Sequence, residues 1–199
     1  NKYMKKLFLK ITILVVLFLI PNIVFGAIVI NEIAWMGTIN SANDEWLELH
    51  NNSTETIDLT SWAIEAADGT PIINLNGTIP ANGYFLLERT DDSTVPGIVA
   101  DQVYTGALGN SGENLKLKDN TSNIVDNADF ASGWPNGDNT TKQTMERTAT
   151  GWQTSLNPGG TPKAQNSSGA VEEPEQTPEQ PETPSIPMGP NNPPIAEAG

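Results

Sequence analysis

The sequence contains no cysteine and only one histidine, His50, among its 199 residues. The absence of cysteine excludes disulfide bonds, thiolate nucleophiles and thiolate zinc sites. Basic side chains are also scarce, since 10 lysines and arginines stand against 24 aspartates and glutamates. A protein that binds the phosphate backbone of nucleic acids depends on basic side chains, so the net charge of −14 argues against nucleic-acid binding.

The first 26 residues differ in charge from the rest of the chain, because they carry four lysines and no acidic residue. An apolar run over residues 11–20 follows the lysines, and Gly26 ends the segment. This order is typical of a secretory signal peptide, which we expect to be cleaved after Gly26. The alternative is an uncleaved membrane anchor, although the run is shorter than the ~20 residues that a spanning helix needs. We therefore expect an exported protein, extracellular or at the cell surface, with no membrane span after cleavage.

The C-terminal part of the chain is rich in proline and glutamate. Residues 167–190 contain almost no large apolar side chain, so they cannot bury enough surface to offset the entropy of ordering. They are predicted to be a disordered linker that acts as an extended spacer. The last nine residues, "NNPPIAEAG" (191–199), regain apolar character and resemble the opening of a PKD-type domain, an extracellular β-sandwich module. The chain is therefore expected to be the N-terminal part of a larger protein.

Residues 27–166 have the length of one domain, and their pattern is that of an all-β protein. Short alternating or apolar runs recur between clusters of Asn, Gly, Asp and Pro, and helical periodicity is nearly absent. We predict an antiparallel β-sandwich. The predicted strands lie within residues 27–35, 45–50, 61–66, 71–75, 83–88, 113–118, 123–130 and 143–147. The predicted core consists of Ile30, Ile33, Leu47, Leu49, Leu59, Trp62, Ile64, Ile73, Tyr84, Leu86, Leu115, Leu117 and Val125.

The stretch "DEWLELHNNSTETIDLTSW" (44–62) contains His50 shortly after Glu45 and Glu48. An imidazole beside two carboxylates could form a metal site, act as a general base, or end a strand. Strict alternation predicts a strand with Leu47 and Leu49 on one face and Trp46, Glu48 and His50 on the other. Because no further histidine or cysteine completes a site, His50 is predicted to be a polar residue at a strand end. No catalytic residue, metal ligand or cofactor is predicted, and binding residues stay unidentified.

Two other groups of residues admit a functional interpretation. Clusters of Asp and Asn, with the Asp91–Asp92 loop as the best candidate, could supply the oxygen atoms that calcium prefers. The simpler interpretation is that these residues form turns. The tryptophans, in particular Trp35, Trp134 and Trp152, could form an exposed contact patch for carbohydrate or protein, but packing in loops is the commoner role.

Five blocks of the central region together resemble the lamin-tail domain in its bacterial secreted form. They are "IVINEIAW" (28–35), "DEWLELHNNSTETIDLTSW" (44–62), "IPANGYFLL" (79–87), "GNSGENLKLKDNTSNIVD" (109–126) and "MERTATGWQTSLNPGGTPKAQN" (145–166). The resemblance covers residues 27–166 and implies an immunoglobulin-like β-sandwich. It also implies a module that is usually non-catalytic. Bacterial relatives occur in exported proteins beside hydrolase, nuclease or adhesion domains, and the nuclear lamins carry the domain as a protein-interaction surface.

Three hypotheses for the function follow. The favoured one is a non-catalytic interaction or spacer module of a larger cell-surface or secreted protein, whose protein or surface partner is unknown. The second is the N-terminal accessory domain of a secreted hydrolase or nuclease whose catalytic domain lies downstream. The third is a calcium-stabilised adhesion module. The sequence does not identify the oligomeric state.

Overall fold

The structure, a computed structural model, describes residues 27–168. This part of the chain consists of strands and turns and contains no helix, so it also holds no helix that could cross a membrane. The predicted signal peptide, the PKD-type opening and all but two residues of the predicted linker lie outside the described residues. In chain order the strands are β1 (Ile28–Ala34), β2 (Trp46–Asn51), β3 (Ile57–Asp58), β4 (Ala63–Ala66), β5 (Ile72–Asn74), β6 (Thr78–Ile79), β7 (Tyr84–Arg89), β8 (Gln102–Tyr104), β9 (Asn114–Lys118), β10 (Ile124–Asp129), β11 (Gln143–Arg147) and β12 (Trp152–Pro158).

Two sheets form the sandwich, which confirms the predicted all-β, immunoglobulin-like fold. The larger sheet has the strand order β12-β11-β1-β2-β7-β8, and the smaller has the order β10-β9-β4-β5. Strands β3 and β6 pair separately at one end. The strand pairings are antiparallel except that of β8 with β7, which is parallel. The loop between these two strands carries the chain back along the sheet, so that β8 runs beside β7 in the same direction. Each of the eight predicted segments overlaps one of the observed strands, and only β2 and β7 extend one residue beyond their segments.

Four strands were not predicted from the sequence: β3, β6, β8 and β12. The first three have only two or three residues, too few to show a period. Strand β12, "WQTSLNP", is half-exposed and mostly polar, so its sequence does not alternate. It forms an edge of the larger sheet by pairing with β11.

The core lies between the two sheets, and ten of the thirteen predicted core residues are buried. The prediction was wrong for Trp62, Tyr84 and Val125, which are only partly buried. Trp62 and Val125 pack against the margin of the core. Tyr84 faces away from it, because the register places Tyr84 opposite His50 and turns Phe85 inward.

The larger sheet is covered on both faces. Leu47 and Leu49 face the core as predicted, but Trp46 and Glu48 on the opposite face are buried too. All seven residues of β1 are buried, because both faces of the sheet are covered. We call this second side of the larger sheet the outer face. Leu86, predicted as core, lies here in a separate cluster with Trp46 and Ala34.

Candidate functional site

Three glutamates stand side by side across the outer face. Glu32 on β1 is paired with Glu48 on β2 and with Glu146 on β11. All three are 0% exposed. Like charges directly opposite each other destabilise a sheet, and an uncompensated buried charge costs still more. This set, which we call the carboxylate row, therefore needs hydrogen-bond donors from elsewhere in the chain.

The donors come from residues 159–168, which follow β12 and which we call the cap. The amide of Thr161 donates to Glu32 Oε1 at 3.1 Å, and its hydroxyl lies 3.0 Å from Glu32 Oε2 and 2.9 Å from Glu146 Oε1, so that it donates to one of the two at a time. The amide of Lys163 donates to Glu48 Oε2 at 2.5 Å. The amide of Ser167 donates to Glu146 Oε2 at 3.0 Å. Each glutamate of the row is thus bonded directly to the cap.

A glycine lets the cap come close enough to make these bonds. Gly160 has φ +66°, and a Cβ atom added there would lie 1.7 Å from Glu32 Oε1 and 2.3 Å from Thr144 Oγ1. No side chain fits in that space. The Thr144 hydroxyl itself donates to Glu32 from the other side.

Two asparagines fasten the far end of the cap. A bulge between Ile30 and Glu32 directs Asn31 towards the outer face, where its amide donates to Glu48 Oε1 at 2.9 Å and to Asn166 Oδ1 at 2.8 Å. Asn166 in turn donates to the carbonyl oxygen of Arg147 at 2.9 Å. The cap is therefore tied to β1, β2 and β11 at once.

Burial changes the acidity of two glutamates of the row, Glu32 and Glu48. The pKa of Glu32 is raised to about 7. Desolvation is the largest cause, hydrogen bonds from Thr144 and Thr161 act against it, and the charge of the neighbouring Glu146 adds to the increase. Desolvation raises the pKa of Glu48 to about 8, although the amides of Lys163 and Asn31 oppose the change. Near neutral pH these carboxyls therefore carry less negative charge than exposed glutamates do.

The structure separates the residues that the sequence placed around the histidine. Glu45 accepts a hydrogen bond from the Leu108 amide at 2.7 Å and forms an ion pair with Arg89 at 3.1 Å. Glu48 belongs to the carboxylate row. His50 stacks on Tyr84 with ring centroids 4.6 Å apart and lines a small pocket of about 160 Å³. The three side chains make no common site.

The acidic loops use their oxygen atoms to hold turns. In the candidate calcium loop, Asp91 accepts a bond from the Ser93 hydroxyl, and Asp92 Oδ1 accepts one from the Ala100 amide at 2.7 Å. Between residues 27 and 168, no three His, Cys, Asp or Glu side chains are grouped so that they could hold a metal ion. The calcium hypothesis stays a prediction.

Trp35, Trp134 and Trp152 belong to one aromatic cluster, which Phe130 joins together. The rings of Trp35 and Trp134 are stacked, with centroids 6.0 Å apart. The ring centroid of Phe130 lies 5.8 Å from that of Trp134 and 5.4 Å from that of Trp152. Arg147 lies 4.7 Å above the ring of Trp152. These contacts support packing within the loops as the role of the aromatic residues.

A groove opens at the end of the outer face, beside the carboxylate row. Its volume is about 440 Å³, within the range of ~300–1,000 Å³ that is usual for ligand sites. Ala34, Trp46 and Thr144 contribute from the sheet, and loop residues such as Ile39 and Pro96 form the walls. We call it the apolar groove. No residue of its lining was singled out from the sequence as a binding residue.

The sequence did contain a signal for the carboxylate row. Asn31 and Glu32 interrupt "AIVINEIAW", a run that is otherwise apolar and typical of a strand buried on both faces, and a glutamate in such a run needs a buried partner. The partners could not be found, because Glu48 and Glu146 are adjacent to it only through the strand register.

The comparison with protein families agrees with this architecture. The family model described as "Lamin Tail Domain" matches residues 23–132, more than half of the chain. The match includes β1 to β10, and β11, β12 and the cap follow it. No curated protein matches the sequence. The fold and the match together establish that the chain belongs to the lamin tail domain family.

Proposed function

We propose that this chain is a non-catalytic interaction or spacer module of a larger exported protein, located outside the cell or at its surface. One observation carries the proposal. The carboxyl groups with raised pKa, which in an enzyme would be candidate acids or bases, are sealed beneath the cap and bonded to the chain's own amides and hydroxyls. Groups that are held in this way serve the architecture of the domain, and its outer surface is left for contacts with other molecules.

The acidic surface narrows the kind of partner. Residues 27–166 carry 18 acidic and 6 basic side chains, and 12 of the acids lie outside the core, so acids outnumber bases two to one at the surface. Such a surface repels nucleic acids and other polyanions and attracts cationic surfaces. The proposed partner is therefore a protein or another surface component rather than a nucleic acid.

The absence of catalysis is testable on the purified chain. We expect no turnover of nucleic acid, phosphoester, ester or glycan substrates, because the carboxyl groups of residues 27–168 whose pKa is raised are buried and accept hydrogen bonds from the chain itself. The measurement is product formation over a long incubation, with E48Q as the matched variant. Turnover by the wild-type chain that disappears on changing one polar residue would contradict the proposal.

Export is tested separately. When the chain is produced with a C-terminal tag in a bacterial host, we expect the tagged protein outside the cytoplasm with Ala27 as its first residue, because the lysines and the apolar run precede Gly26. Mass spectrometry of the exported form reads this directly. Retention of the full N-terminus in a membrane fraction would favour the anchor instead.

A further inference from the structure

The apolar groove has the shape of a site for one bulky side chain. Its floor consists of Ala34 and Trp46, both buried, together with Val95. Loop residues rise around this floor, and Ile39 on the rim is 82% exposed. A single exposed isoleucine means little, but an apolar rim above an apolar floor favours the entry of an aliphatic or aromatic group.

The groove also contains a polar atom without a partner. Thr94 lines it, is only 3% exposed, and its hydroxyl oxygen makes no hydrogen bond to any of the residues 27–168. The backbone amide of Thr94, in contrast, has a partner, because it donates to Glu88 Oε2 at 2.9 Å. A buried hydroxyl without a partner is unusual and costs stability. The oxygen is covered in the free domain, so a bound peptide group supplies the missing partner only if the Thr94 side chain turns towards the groove.

The three loops around the groove carry negative charge. Asp44 accepts a bond from the Thr38 hydroxyl at 2.7 Å, and Asp138 Oδ1 accepts one from the Thr141 amide at 3.3 Å. Asp91 and Asp92 stand just before Thr94 in the third loop. The side chains of Thr38, Thr141 and Thr94 all line the groove.

One cation lies among these acids. Lys142 lines the groove, and its ammonium group is bonded to the carbonyl oxygen of Met36 at 3.1 Å and to Asn139 Oδ1 at 2.6 Å. Both acceptors are uncharged, so one positive charge remains against four aspartates on the surrounding loops. None of the aspartates lines the groove itself, but on the surrounding loops they outnumber the one lysine. The charge of these loops therefore favours a positively charged ligand, as does the net charge of the domain.

We propose that the apolar groove binds an extended, basic peptide segment of a partner protein by enclosing one of its apolar side chains. This inference rests on the proposed function and deepens it. The apolar side chain packs on Trp46 and Val95, and the peptide backbone meets the hydroxyl of Thr94. Lysine or arginine residues of the peptide, on either side of this apolar side chain, face the aspartates of the surrounding loops.

The test uses the purified chain labelled with ¹⁵N and three synthetic nonapeptides as probes. The first has a central leucine flanked by lysines, the second has serine in place of that leucine, and the third has glutamates in place of the lysines. We expect the first peptide to shift the amide signals of Thr38, Val95 and Thr141 in a saturable way. The other two should bind at least roughly tenfold more weakly, because the second lacks the apolar side chain and the third lacks the positive charges.

Two matched variants locate the site. Ile39→Ser should weaken binding of the first peptide roughly tenfold, whereas Ile124→Ser on β10 should not change it. Both isoleucines are exposed, at 82% and 54%, so neither substitution disturbs the core. Raising the salt concentration should also weaken binding, since the charged contacts are exposed to solvent.

The proposal is overturned if none of the three peptides binds at millimolar concentration, if the acidic peptide binds as well as the basic one, or if Ile124→Ser weakens binding more than Ile39→Ser. These results would leave the proposed function standing, because a module can make its contacts through another surface. Catalytic turnover would overturn the proposed function without deciding whether the groove binds a peptide.

Discussion

Replacing Gly160 by alanine is expected to destabilise the domain by roughly 3–5 kcal/mol, because the new methyl group would occupy the space of Glu32 Oε1. The added Cβ would lie 1.7 Å from that oxygen and 2.3 Å from Thr144 Oγ1, so the cap must move away from the sheet. That movement breaks the bonds from Thr161 to Glu32 and Glu146 and leaves buried carboxyl oxygens without donors. Urea unfolding, followed by tryptophan fluorescence, measures the loss.

The preceding residue provides the matched control. Gly159 also has a positive φ, +77°, but an added Cβ there would meet nothing within 4 Å. Gly159→Ala should therefore cost only the backbone strain, about 1–2 kcal/mol. The difference between the two variants isolates the steric conflict with the carboxylate row. Equal losses for the two variants would show that the cap is not held as closely as the structure indicates.

Hydrogen exchange gives a local measure of the same effect. In the wild-type domain the amides of Thr161 and Lys163 are bonded to buried carboxyl oxygens and should exchange slowly. Gly160→Ala should expose both amides and leave the core strands protected until global unfolding. Such a pattern would place the defect in the cap and not in the sandwich.

The second large effect is a dependence of stability on pH that runs against ordinary acid denaturation. Burial raises the pKa of Glu32 to about 7 and that of Glu48 to about 8, whereas the value for both in an unfolded chain is 4.5. Between pH 4.5 and these values the folded state holds more protons than the unfolded state. The free energy of unfolding therefore falls as the pH rises through this window.

The size of the effect follows from the number of shifted groups. A fully shifted carboxyl removes about 1.4 kcal/mol of stability per pH unit between its unfolded and folded pKa. Two such groups predict a loss of several kcal/mol between pH 5 and pH 8. Desolvation raises the pKa of Glu45, Glu88 and Glu113 in the same direction.

Some groups act in the opposite direction. The pKa values of Asp58, Asp119 and Asp138 are lowered by hydrogen bonds in their turns, but these side chains lie at the surface, where solvent weakens the effect. Their contribution is present above their unfolded pKa and lost only in strong acid. Stability should therefore be greatest in mildly acidic solution, near pH 4.5–5.

The fold could be predicted from the sequence because its signals are local. Alternation in "EWLELH" and turn residues such as those between β4 and β5 identify strands without knowledge of their neighbours. The errors in the core have one cause, which is that alternation shows that a strand has two faces but not what covers each of them. Tyr84 was assigned to the wrong face, and Leu86 to the wrong cluster, for this reason.

The candidate site could not be predicted, because the register and the long-range contacts of the cap create it. Glu32, Glu48 and Glu146 lie 16 and 98 positions apart in the sequence and become neighbours only when β11, β1 and β2 pair. The sequence drew attention to Glu48 through the nearby His50, yet its bonding partner is the amide of Lys163. The apolar groove likewise combines three loops that are distant in the chain.

Glu32 and Glu48 belong to the architecture of the domain, and burial lets them keep their protons to a higher pH than exposed glutamates do. The most direct test is the free energy of unfolding from pH 4.5 to pH 9 for the wild type, for Glu48→Gln and for the exposed control Glu55→Gln. We predict that stability of the wild type and of Glu55→Gln falls with rising pH, and that Glu48→Gln has a slope smaller by up to about 1.4 kcal/mol per pH unit. A wild-type stability that rises over this range, or a slope that Glu48→Gln leaves unchanged, would contradict the account.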